Sequence, residues 1–185
     1  YNDDATIYLW NGKAVAFLEN DGGDMCVFGF NGNFLGWYED GIVRDENGNA
    51  VIKLGSANGS GTIETFNEDR NQIVNISSTV NGDGVINTFN NNSQQIIKLS
   101  STVDGEGTIT TYNDNGDHLV QLSSTTSSEG SITTYNTKGY GIVKLTSTTD
   151  GDGYISTANN QGIEMVQLSS TSGGKGVIST FMIKK

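Results

Sequence analysis

A glycine recurs every 23 residues through the last two thirds of this chain, at Gly61, Gly84, Gly107, Gly130, Gly153 and Gly176. A chain with that period is an array of one small unit, and a fold built on non-repeating elements is excluded for this stretch. Two residues beyond each glycine stands an Ile, from Ile63 to Ile178, and two further on a Thr, from Thr65 to Thr180. An aromatic follows the Thr as Phe66, Phe89, Tyr112, Tyr135 and Phe181, with Ala158 the exception. The second half of each unit reads Ile-Val-x-Ile at 73–76, Leu-Val-x-Leu at 119–122 and Met-Val-x-Leu at 165–168, and a Ser/Thr triplet closes it.

Alternating β-branched residues bounded by Gly and Asn predict strands, so each unit is expected to be one β-hairpin. Strands are expected near 61–67, 73–79, 84–90 and onward at the same offsets. Two kinds of turn are expected. Asn115-Gly116 reads as a two-residue type I′ turn, setting Tyr112 opposite Leu119, Thr111 opposite Val120 and Ile109 opposite Leu122. Val80-Asn81-Gly82 reads as a three-residue loop with Gly82 in the left-handed region, setting Ile76 opposite Ile86; Gly105, Gly151 and Gly174 take the same place, and Ser128 departs from it. The fold class is therefore all-β, an antiparallel meander of repeated hairpins with no significant helix. One face carries Ile, Thr, Val and Leu. The other carries the aromatics, the aliphatics at places equivalent to Ile73, and Lys98, Gln121 and Lys144, so both faces are partly apolar and each is expected to touch a further hairpin, a sister chain or a ligand.

Before the array, Asn11-Gly12, Asn31-Gly32 and Asn47-Gly48 mark three more hairpins at irregular spacing, and both Trp residues lie there. A domain of residues 1–56 and an array of residues 57–185 are expected, divided near Gly55 to Gly59. Tyr8-Leu-Trp-Asn-Gly and Phe28-Gly-Phe-Asn-Gly-Asn-Phe-Leu-Gly-Trp-Tyr-Glu-Asp-Gly resemble the bacterial four-fold β-flower proteins, which implies short hairpins arranged like petals over about residues 5–54, or to 76 if the first regular unit is the fourth petal. The segment is also similar, more weakly, to the aromatic hairpin repeats of surface proteins that bind choline or cell-wall glycans. The 23-residue units are similar in style to repeats of bacterial surface proteins and phage tail fibres, which implies a structural role.

Composition narrows the function further. With 10 basic against 21 acidic residues the net charge is −11, a field that repels phosphate backbones and anionic membranes, so neither nucleic acid nor membrane insertion is expected. Pro is absent and a single Cys excludes an intrachain disulfide. The chain begins at Tyr1, as a processed or excerpted chain does.

Candidate chemistry is sparse. His118 is the only histidine, and Gln72, Gln95, Gly141 and Glu164 at equivalent places mark an exposed, tolerant hairpin end rather than a general base. Cys26, among Met25, Val27 and Phe28, reads as a small buried hydrophobe. Asp83, Glu106, Glu129 and Asp152 form a row, but equivalent loops stand about 10 Å apart, too far to share one ion at ~2.4 Å, and they read as solvated charge. Asp45-Glu46-Asn47-Gly48-Asn49 resembles the start of a Ca²⁺ loop, yet Ala50 stands where that loop needs Gly, and a hairpin turn accounts for it. No catalytic residue, metal or cofactor is expected. Trp10, Phe30, Trp37 and Tyr38 are the candidate ligand- or partner-binding residues, because rings lining a groove between hairpins hold sugars and quaternary ammonium groups. The expectation is a non-catalytic extracellular or cell-envelope structural or adhesive repeat protein. It would meet protein partners or itself through sheet faces and the C-terminal edge strand, Gly176 to Met182, and a cell-surface glycan is a further candidate partner. The alternatives are a trimeric tail-fibre segment and a glycan- or choline-binding module.

Overall fold

The structure, a computed structural model, describes residues 5–21, 24–57, 59–125, 127–148, 150–171 and 173–181. Seventeen β-strands and no helix are found among them. The chain divides into two units, the first of residues 1–78 joined by 91–93, the second of the remainder.

The first unit is a meander of β1 (Ala5–Tyr8), β2 (Ala14–Asp21), β3 (Asp24–Gly29), β4 (Phe34–Glu39), β5 (Ile42–Arg44), β6 (Ala50–Ala57), β7 (Ser60–Phe66) and β8 (Gln72–Ser78). Each strand pairs antiparallel with the next. The Gly- and Ser-rich stretch from Gly55 to Gly61 lies in the β6–β7 pairing, with Leu54 opposite Ile63 and Ala57 opposite Ser60. Successive hairpins of this unit are hydrogen-bonded to one another along their edges.

The second unit continues the pattern through β9 (Gly84–Phe89), β10 (Gln95–Ser101), β11 (Gly107–Tyr112), β12 (His118–Ser124), β13 (Gly130–Tyr135), β14 (Gly141–Ser147), β15 (Gly153–Ala158), β16 (Glu164–Ser170) and β17 (Gly176–Thr180). The last strand ends two residues earlier than expected, and Met182 lies outside the described residues. In register, Ile86, Leu99, Ile109, Leu122, Ile132, Leu145, Ile155, Leu168 and Ile178 form an unbroken cross-strand row. A parallel row alternates Thr111, Val120, Thr134, Val143, Thr157 and Val166 on the same face. Because side chains alternate along a strand, Lys98, Thr110, Gln121, Thr133, Lys144 and Ser156 share the opposite face.

The turns explain how this register survives through the repeats. The expected type I′ turn at Asn115-Gly116 is not formed. Instead Asn113 N–H donates to Asp117 O at 2.9 Å and Gly116 N–H to Asn113 O at 3.1 Å, closing a three-residue loop in which Gly116 alone has positive φ, 83°. The cause is Asn113, whose Oδ1 accepts from the N–H groups of Asn115 and Asp117, both at 2.9 Å, and fixes a wider turn than two residues allow. Tyr112 consequently faces His118 rather than Leu119, and a bulge at Leu119 restores Thr111 opposite Val120 and Ile109 opposite Leu122 as expected. Asn67, Asn90, Asn136 and Asn159 do the same in their units, each Oδ1 accepting from the N–H four residues on. At the other end of the sheet Thr takes this role: Glu106 N–H donates to Thr102 Oγ1 at 3.1 Å, and Gly105 has φ 85°. Gly82 and Gly174 take the expected left-handed place, and Ser128 adopts it too, at φ 62°. A genuine two-residue turn does occur, at Asp40-Gly41, where both φ values are positive, 46° and 83°.

No side chain among the described residues is fully buried, as a single-layer sheet requires. The two faces of the second unit differ. On the polar face Thr110, flanked in register by Lys98 and Gln121, and Ser156, flanked by Lys144 and Gln167, are only 5% and 8% exposed. The apolar row has no such cover: Leu99 is 37%, Leu122 40% and Ile155 41% exposed.

Candidate interaction surfaces

The three-residue turns decide where the candidate aromatics go. Leu9 N–H donates to Lys13 O and Gly29 N–H to Asn33 O, both at 2.8 Å, so Trp10 and Phe30 open their loops and project from turn tips. Trp10 is fully exposed and Phe30 mostly so. Trp37 and Tyr38 are neighbours on β4 and point to opposite faces. The four residues thus line no common groove. Two are tips at the same end of the first unit, and two are strand residues facing apart.

What the first unit does assemble is a ring row that takes in two of the candidates, Phe30 and Trp37, with three rings that the sequence reading did not name, Phe17, Phe28 and Phe34. Phe17 stacks on Phe28 at 5.3 Å, Phe30 meets Phe17 edge-on at 6.1 Å, Phe34 lies 5.3 Å from Phe28, and Trp37 stacks on Phe34 at 5.9 Å. The signal was present in the register, since Phe17 pairs with Phe28 and Phe28 with Phe34 across β2, β3 and β4. Seeing it required the bulge after Val27, which sequence alone does not place. Cys26 faces Trp37 across the ladder and is half-buried rather than buried.

Beside this row Arg44, Lys53, Phe66 and Arg70 line a shallow hollow of about 350 Å³. Its cations are already engaged: Arg44 approaches Glu39 at 3.6 Å and donates to Gly48 O at 3.1 Å, Lys53 Nζ sits 4.9 Å over the Phe66 ring, and Arg70 donates to Asn49 Oδ1 at 2.7 Å. Asp45 is the cap of the adjacent turn, its carboxylate accepting from the side chain and backbone of Asn49 and the backbone of Asn47, and these bonds hold its pKa below the usual carboxylate value. A turn cap, not the start of a Ca²⁺ loop, is what its oxygens form.

In the second unit His118 is exposed at the start of β12, where its ring stands edge-on between Tyr112 and Tyr135 at 5.2 and 5.6 Å. The acidic row is organised rather than merely solvated. Asp83, Glu129 and Asp152 accept hydrogen bonds from Ser101, Ser147 and Ser170, and the hydroxyls of Ser124 and Ser128 hold Glu106 below its usual pKa. A groove of about 770 Å³ runs along the apolar face, floored by Leu99, Ile109, Leu122, Ile132 and Leu145.

No curated protein sequence matches the chain. Residues 1–78 match the family model described as the 4-fold beta flower protein, four hairpins that include the first 23-residue unit, and the repeated meander that follows fits a structural repeat protein.

Proposed function

We propose that this chain is a non-catalytic structural element of the cell surface or envelope, in which the 23-residue array is a spacer whose reach is set by the number of units. The observation that carries the reading is the uniformity of the ladder. Leu99 opposite Ile109, Leu122 opposite Ile132, Leu145 opposite Ile155 and Leu168 opposite Ile178 are the same pairing repeated, so length changes while local structure does not. The positions that vary between units lie at the turns and outside these rows. Adhesive contact would then fall to the first unit. Trp10 and Phe30, on turn tips at one end of that unit, support a second reading in which those rings meet a glycan or a quaternary ammonium group.

Deleting residues 107–129 removes one unit and rejoins equivalent positions. The expected product folds cooperatively and is shorter by about 10 Å in maximum dimension by small-angle X-ray scattering, two strand spacings. An unfolded product, or one of unchanged length, contradicts the spacer. Protease shaving of intact host cells tests the location: loss of the chain from unbroken cells is expected, and full protection contradicts a surface position.

A further inference from the structure

We infer that two copies of this chain pair face to face through the Ile/Leu side of the second unit. This stands on the chemistry of that face and holds whether or not the array is a spacer.

The row from Ile86 to Leu168 is unusual in being bare. Its members are 37–42% exposed along the row, while Thr110 and Ser156 on the opposite face are 5% and 8% exposed. At that exposure the row presents on the order of 600 Å² of apolar area, and the Val and Thr methyls beside it bring the face to the ~800 Å² per partner of a standard interface. Contiguous apolar patches of this size on a soluble chain mark an interaction surface.

Charge favours a second copy as the occupant. The chain carries −11, so most ways of apposing two copies bring like charges together. The paired rows of this face contain only Ile, Leu, Val, Thr, Ser and Gly, with every Lys, Glu and His of the strands on the other side or at the turns. Two such faces pack at the ~10 Å separation of stacked sheets with charge confined to the rims, where Ser101, Ser147 and Ser170 hold Asp83, Glu129 and Asp152.

The rims select the orientation. The Thr-turn end carries Asp83, Asp104, Glu106, Glu129, Asp150 and Asp152 against Lys175, whereas the Asn-turn end carries Asp114, Asp117 and Lys138. A two-fold axis along the strands would stack the acidic rims on each other. An axis across the strands lays the acidic rim of one copy over the Asn turns of the other, and this is the arrangement inferred.

Sedimentation equilibrium of the full chain is the test. A mass of twice 19.7 kDa at tens of micromolar is expected. Ile132→Lys, with its sheet checked by circular dichroism, should weaken association at least 100-fold, while Thr133→Lys on the opposite face leaves it unchanged. In a Cys26→Ser background, a short bismaleimide should join Val103→Cys copies to Asn115→Cys copies and should not join Val103→Cys copies to one another. A monomer throughout, a trimer, or dissociation by Thr133→Lys but not by Ile132→Lys overturns the inference. Cross-linking between like positions overturns the orientation.

Discussion

The Ser101 hydroxyl donates to Oδ2 of Asp83 at 2.7 Å, tying the Thr turn before β9 to the end of β10, 18 residues away. The same separation joins Ser147 to Glu129 and Ser170 to Asp152. The acidic row is therefore a series of clasps between neighbouring Thr turns, each closing the open end of one hairpin, β9–β10, β13–β14 or β15–β16.

Ser101→Ala removes one clasp. A hydrogen bond of this kind contributes about 0.5–1.5 kcal/mol, with the lower half expected here because solvent reaches the pair. Urea denaturation should show a loss in that range for Ser101→Ala and less for Asp83→Asn, which still accepts the bond. No change in Ser101→Ala would mean that the clasp contributes nothing.

The hydroxyls around Glu106 also make its contribution depend on pH. Glu106 is held below its usual pKa, first by Ser124 and then by Ser128, so its ionised form is favoured by folding. Its contribution is present above the unfolded value of about 4.5 and is lost as pH falls through the lower folded value. Nuclear magnetic resonance titration of Ser124→Ala should show the Glu106 pKa moving up toward 4.5. An unchanged midpoint would show that the serine does not hold the carboxylate.

Two glycines separate conformational need from steric need. Gly82 has φ 92° with open space around an added Cβ, so Gly82→Ala should cost about 1–2 kcal/mol, the ordinary penalty of the left-handed region. At Gly36 an added Cβ would stand 2.0 Å from Arg44 O, with φ 137° besides, because β4 passes close against the end of β5. Gly36→Ala should cost about 3 kcal/mol or more and unfold the first unit preferentially. Thermal melts of the two variants compare them directly, and equal losses would contradict the close approach.

Strand positions and both faces were legible because Ile, Thr and Leu recur at fixed offsets, and a period of two then dictates which side each takes. The Asn turns were misread because Asn-Gly suits a type I′ turn and also the last two places of a three-residue loop. What decides between them is the residue before the loop. Asn113 and Asp45 present an oxygen to two N–H groups, whereas Glu39, before the true two-residue turn at Asp40-Gly41, makes no such cap. The same ambiguity hid the fate of Trp10, which a two-residue turn would leave in a strand and a three-residue loop lifts to the tip. The Ser clasps were not legible, since they join residues of adjacent units whose approach depends on the loops at both ends.

Trp10 and Trp37 should respond differently to truncation. Trp10→Ala removes a fully exposed tip and should change stability by less than about 0.5 kcal/mol, whereas Trp37→Ala removes a ring stacked on Phe34 and should cost about 1–3 kcal/mol. Trp10→Ala is thus the clean probe for glycan binding, with Tyr135→Ala as the array control. Loss of glycan-array signal in Trp10→Ala alone is the outcome expected of a tip site; equal loss in both variants would move recognition onto the repeats.

Cross-strand nuclear Overhauser effects around one Asn turn test the account most directly, because they read the pairs that build the Ile/Leu row and the turn that closes them in one measurement. Contacts from Tyr112 to His118, Thr111 to Val120 and Ile109 to Leu122, with Leu119 unpaired, are predicted. Loss of the Thr111–Val120 and Ile109–Leu122 contacts would contradict the register of the row, and direct pairing of Tyr112 with Leu119 would contradict the three-residue turn.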